Sequence, residues 1–157
     1  MLRTSVVELA SPRVVHIEGE DVLLLTYDQI GREARSLECA TAPLRQVVDN
    51  AQAADVVAFV PDHIVEPDLT PMLTAGCKQL TEFTVAAFYA PVTDAVKEIK
   101  GGVVTGPVDR STLAWVRGPA FVPRDLLWHA LMALPTPTVR PLTVASSIVD
   151  DFTIGRL

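Results

Sequence analysis

The sequence predicts an α/β domain, and three observations carry that prediction. Two apolar runs of strand length, residues 55–60 and 84–89, flank a segment whose apolar residues recur at helical spacing. Strand, helix and strand within 35 residues form a βαβ unit, whose crossover is right-handed in nearly all cases and whose strands run parallel. Composition supplies the core: of 157 residues, 49% are hydrophobic and 20% charged, which excludes a disordered chain and suits one domain over 1–157.

The elements follow in chain order. Residues 14–17 and 22–25 read as strands around the turn-forming insert Glu18-Gly19-Glu20-Asp21. The unbroken apolarity of Val22-Leu23-Leu24-Leu25 predicts burial on both faces, hence an internal place in a sheet. From Thr41, a capping-type residue, Leu44, Val47, Val48 and Ala51 keep helical spacing, with Pro43 in the first turn. The strand that follows is stopped by Pro61-Asp62, and Thr70-Pro71 opens a second helix along Leu69, Met72, Leu73, Gly76, Cys77 and Leu80.

Past Pro91 the texture changes. Residues 92–99 and 103–105 around Lys100-Gly101-Gly102 predict a β-hairpin, an inserted arm over 91–117 that returns along 111–116. Residues 123–134 return to a helix, with Pro123 at its start, Asp125 near its positive end, and Leu127, Leu131 and Leu134 on one face. Pro135, Pro137 and Pro141 then exclude regular structure, and 143–157 forms a short strand or an ordered tail.

Thirteen basic and nineteen acidic residues leave a net charge of −6, and no basic stripe interrupts the acidic chain, so nucleic acid is excluded as a partner. No apolar run approaches the roughly 20 residues that cross a bilayer, and no signal-peptide stretch opens the sequence, so a cytoplasmic protein without membrane contact is expected. Cys39 and Cys77 lack any C-x-x-C pattern and read as small buried hydrophobes in a reducing compartment.

Neither G-x-G-x-x-G nor G-x-x-x-x-G-K-[ST] occurs, so phosphates would need another source of backbone donors. Asp62 follows a buried strand, where ligands of parallel sheets bind and a carboxylate holds Mg²⁺; an Asp after Pro61 also caps a turn. His63 beside it is a second polar group or a surface side chain. Arg110 and Arg117 suit bidentate phosphate binding, or ion pairs with Asp109 or Asp94 inside the hairpin. Ser36, Ser111, Ser146 and Ser147 lack the nucleophile elbow, and His129 beside Trp128 reads as packing.

The arm carries a family likeness. Pro91-Val92-Thr93-Asp94-Ala95-Val96-Lys97, Gly102-Val103-Val104, Val108-Asp109-Arg110-Ser111-Thr112-Leu113, and then Pro119, Phe121, Arg124 and Leu126-Leu127 resemble the 2-C-methyl-D-erythritol 4-phosphate cytidylyltransferases, which use CTP in the non-mevalonate route to isoprenoid precursors. Residues 54–62 resemble the strand before that family's H-D-A-A-R-P motif, and the likeness covers about 54–134. It implies a Rossmann-like mixed sheet with a βαβ core and an inserted β-arm hairpin. It also implies a homodimer that exchanges arms, Asp62 as the metal-binding Asp, and Asp94 and Arg110 as substrate-binding residues, Arg110 reaching phosphate held by the other subunit.

The departures set the functional expectation. No counterpart of the family's glycine-rich nucleotide loop is found upstream, Val65-Glu66 stands near the family's Arg, Ala95 replaces a Thr, and Arg117-Gly118-Pro119-Ala120 replaces Q-T-P-Q. Phosphoryl chemistry needs preorganised positive charge, and losing one donor costs about 10²–10³ in rate. The expectation is a truncated, catalytically inactive paralogue, a dimeric protein-interaction or regulatory module with no cofactor. The alternative is a working cytidylyltransferase, or a binder of small phosphate ligands, using Asp62, Asp94 and Arg110 with Mg²⁺ and CTP.

Overall fold

A computed structural model describes residues 9–28, 38–91, 97–107, 114–141 and 153–156. The strands are β1 (Leu9–Ile17), β2 (Glu20–Tyr27), β3 (Cys39–Ala40), β4 (Val56–Pro61), β5 (Ala86–Pro91), β6 (Lys97–Lys100), β7 (Val103–Pro107), β8 (Ala114–Pro123), β9 (Thr138–Val139) and β10 (Thr153–Arg156). The helices are α1 (Thr41–Asn50), α2 (Leu69–Gln79) and α3 (Arg124–Ala133).

β1 and β2 form the expected hairpin, with a tighter turn than the sequence suggested. Ile17 faces Glu20 across the ladder, leaving only Glu18 and Gly19 in the turn, at φ 45° and 87°. Two successive positive φ values match the twist of the flanking strands, so Glu20 and Asp21 are drawn into β2. Val22 to Leu25 are buried on both faces, as their apolarity predicted: β2 lies inside the sheet, between β1 and a parallel β4, with α1 and α3 packed on one face and α2 on the other.

The main sheet has the order β1-β2-β4-β8-β5-β10. β4 and β5 run parallel, but they are not neighbours, because β8 inserts antiparallel between them. A βαβ pattern sets strand direction, not adjacency, so this insertion was not readable from 55–89. The tail forms a strand, β10, parallel to β5.

Alternate residues of the central strands bury on opposite faces. Leu23, Leu25, Val57, Phe59 and Val122 meet Leu44 and Val48 of α1 and Leu127 and Leu131 of α3. Val22, Leu24, Val56, Ala58 and Phe121 meet Leu69 and Leu73 of α2. The crossovers β2-α1-β4 and β4-α2-β5 step across the sheet in the same direction, yet their helices lie on opposite faces. They therefore have opposite hands, and one of them departs from the right-handed rule.

α1 and α3 are joined by a reciprocal arginine clamp. The buried Arg124, at the start of α3, donates from Nε and Nη2 to the Val48 carbonyl near the end of α1, at 3.2 and 3.0 Å. Arg45 of α1 donates to the Leu131 and Leu134 carbonyls at the end of α3, at 2.9 and 3.1 Å. Each cation bonds carbonyls at the carboxyl end of a helix, where the dipole favours positive charge. Arg124 also lies 5.5 Å from the Trp128 ring centre.

The proline-rich segment after α3 is not wholly irregular: Thr138 and Val139 keep their N–H groups between Pro137 and Pro141 and pair with β3. In the arm, β6 and β7 form a separate two-stranded sheet around Gly101 and Gly102, at φ 58° and 79°. Pro91 and Ala114 pair within the main sheet, so the hairpin rises from the ends of β5 and β8. No helix among the described residues is long and apolar enough to cross a membrane.

Candidate functional site

Side by side, β2 and β4 are level from Val22 opposite Val56 to Tyr27 opposite Pro61. The Asp62 N–H continues the ladder, donating to the Tyr27 carbonyl at 2.9 Å. The next described helix after β2, α1, packs on one face of the sheet, and the next after β4, α2, packs on the other. Neighbouring parallel strands whose chains part to opposite faces open a crevice outside their carboxyl ends, the usual ligand position in open α/β sheets.

The rim of that crevice is acidic. Asp28 and Asp62 directly follow the two strands, His63 comes next, and Glu66 and Asp68 lead into α2; all five are exposed. Mg²⁺ is commonly held by one or two carboxylates with the remaining places taken by water and substrate phosphate. Asp28 and Asp62 fit that donor set, and no group of three or more His, Cys, Asp or Glu among the described residues forms a metal cage.

The amino end of α2, which also faces this side, is already compensated. Its cap residue Asp68 makes no side-chain capping bond. Instead the Glu66 carboxylate accepts from the Thr70 N–H at 3.4 Å and from the Thr70 hydroxyl. A carboxylate there meets the positive end of the helix dipole, the position an incoming phosphate would otherwise use. Arg45 and Arg124 are committed to the helix clamp.

Burial pushes the Tyr27 hydroxyl up to about 12, with the neighbouring Cys39 adding to the shift. Burial, with Glu38 beside it, likewise pushes the Cys39 thiol up to about 12. Cys77 on α2 rises to about 11 through burial, then Glu20 and Glu18. All three stay protonated at neutral pH. Both cysteines are free thiols, as expected.

Of the residues singled out from sequence, Asp62 and His63 stand at the crevice, whereas Asp94 and Arg110 lie outside the described residues. His129 is exposed on α3, not packed as expected, because Leu127, Ala130 and Leu131 supply that helix's buried face. Sequence reasoning missed Asp28. It sought a nucleotide loop upstream of every element, while the register identifies β2 as the strand beside β4, with Asp28 at its end. The segment after Asp28 carries Gly31, Arg32 and Arg35, and residues 29–37 lie outside the described residues. The available signal was a doubly buried strand followed by Asp28-Gln29-Ile30-Gly31-Arg32 and then a helix.

The mixed sheet, the inserted antiparallel strand and the arm define a Rossmann-like α/β fold of the cytidylyltransferase type. No family model matches the chain, and no curated protein matches it. Among solved structures, it is similar to 4-diphosphocytidyl-2C-methyl-D-erythritol synthase from Anaerococcus prevotii, with TM-score 0.61 and 10% identity over 74% of this chain and 56% of that one. It is also similar to the 2-C-methyl-D-erythritol 4-phosphate cytidylyltransferase from Thermus thermophilus, with TM-score 0.55 and 15% identity over 85% and 70%. The Francisella tularensis enzyme of that name gives 0.55 and 9% over 74% and 58%. These likenesses are of fold, and the chain spans little more than half of two of the three structures.

Proposed function

We propose that this domain binds a cytidine nucleotide with Mg²⁺ in the crevice between β2 and β4 and serves cytidylyl transfer to a polyol phosphate. The structural neighbours, named for such a reaction on 2-C-methyl-D-erythritol 4-phosphate, supply the substrate class. The observation that carries the reading is the level pair Asp28 and Asp62 at the mouth of two strands whose chains part to opposite faces. Asp62 and Asp28 hold the metal, which when bound neutralises phosphate charge. In this reading Arg110 and Asp94 bind the acceptor. The test is thermal unfolding with CTP, Mg²⁺ and both together: ligand at 100 times its Kd adds about 2.7 kcal/mol of stability. The metal-dependent part should vanish in Asp62→Asn, and an equal shift in that variant would overturn the reading.

A second reading, a catalytically silent homodimer acting through protein contacts, is favoured by the arm. Val103 and Val104 are 64% and 56% exposed on a two-stranded hairpin, an element marginal in water without a partner. A second copy of the chain covers it in this reading. Light scattering should then give twice the chain mass, falling to one in Val103→Ser/Val104→Ser. Dimer without any CTP response supports the second reading; a monomer at micromolar concentration removes it.

A further inference from the structure

Three polar atoms among the described residues are buried without a hydrogen-bond partner: Oε2 of Glu38, Oγ1 of Thr41 and Nε of Arg45. They belong to one stretch of chain, residues 38–45, which runs from β3 into the first turns of α1. Glu38 uses its other oxygen to accept from the Thr138 hydroxyl at 2.8 Å, and Thr41 N–H donates to the Pro137 carbonyl at 2.9 Å. Arg45 donates through Nη2 to Leu131 and Leu134, and Cys39 pairs with Val139. These bonds tie the stretch that carries all three atoms to residues 131–139, and Thr41 is only 3% exposed.

Leaving such groups without partners carries a desolvation cost that native folds rarely tolerate. Their chemistry restricts what can partner them. The Glu38 oxygen accepts only, the Arg45 Nε–H donates only, and the Thr41 hydroxyl does either. A fully deprotonated anion has nothing to offer Glu38, and a metal ion has nothing to offer Arg45. The occupant must both donate and accept, and buried water typically makes about three such bonds. We propose that an internal water site joins Glu38, Thr41 and Arg45, tying the β3–β9 ladder to the arginine clamp between α1 and α3.

The test turns on sign. Thr41→Val keeps shape and β-branching while removing the hydroxyl. With water bridging the three groups, the variant should lower the folded-to-unfolded ratio about fivefold or more, whereas Thr41→Ser keeps most of it. If the hydroxyl has no bridge, valine relieves a desolvated polar group and stability is unchanged or rises, which overturns the proposal. A double-mutant cycle of Thr41→Val with Glu38→Gln gives a second readout: coupling through shared water is non-additive, and strict additivity refutes it. A high-resolution crystal structure should show an ordered water within hydrogen-bond distance of all three atoms.

Discussion

Replacing Gly76 by alanine should destabilise the domain, although helix propensity alone predicts the opposite. Gly76 is buried in α2, and a Cβ built there would lie 2.1, 2.2 and 2.4 Å from Cε2, Cζ and Cδ2 of Phe121. Carbon pairs sit at about 3.5–4.0 Å, so helix and ring must separate by roughly 1.5 Å. The ring has nowhere to go: Phe121 is fully buried on β8, edge-on to Phe88 with centroids 6.3 Å apart, beneath Leu69 and Leu73. Overpacking of this kind costs about 3 kcal/mol, against about 1 kcal/mol gained when alanine replaces a helical glycine. The net loss of about 2 kcal/mol lowers Tm by roughly 4–8 °C in a chain of this size. Circular dichroism and urea titration measure it, with the m value expected unchanged. Gly76→Ala/Phe121→Leu should lose less than the sum of the single changes, because the smaller side chain vacates the contested space. A rise in Tm for Gly76→Ala would refute the close approach of α2 to β8.

Arg124→Met should cost about 1.5–3 kcal/mol by chemical denaturation, because the Val48 carbonyl loses both guanidinium bonds while the stem packing is retained. Glu66→Ala should cost about 0.5–2 kcal/mol by uncapping α2, measurable in the same titration. Stability should fall at alkaline pH. Tyr27 and Cys39 titrate near 10.0 and 9.0 when unfolded but near 12 when folded, so their contribution is complete below pH 9 and is lost as pH rises toward 12. The unfolded chain releases these protons first, and each group gives a slope of at most about 1.4 kcal/mol per pH unit. Tyr27→Phe should flatten the Tm profile between pH 10 and 12, and an unchanged profile would refute the burial of that hydroxyl.

Much of the fold was legible because its signals are local. Val22 to Leu25 announced a doubly buried strand, Leu44 with Val48 and Leu127 with Leu131 announced helix faces, and Gly101-Gly102 announced the hairpin. Each depends on a period of two or 3.6 residues, or on a φ that glycine favours, and these are properties of neighbouring residues. The place of Asp62 at the end of a buried strand was legible because Pro61 stops the apolar run.

What remained hidden is non-local. Which strand lies beside β4 depends on pairings across the whole chain, so neither β8 between β4 and β5 nor β2 on the other flank could be read from spacing. The same holds for the opposite hands of the two crossovers, which place α1 and α2 on different faces beyond the level strand ends at Asp28 and Asp62. Sequence by itself determined which segments would be strands and helices and which faces they would bury, because burial follows periodicity. Only the tertiary structure decided which strand ends stand together, because backbone hydrogen bonds between strands carry no residue identity.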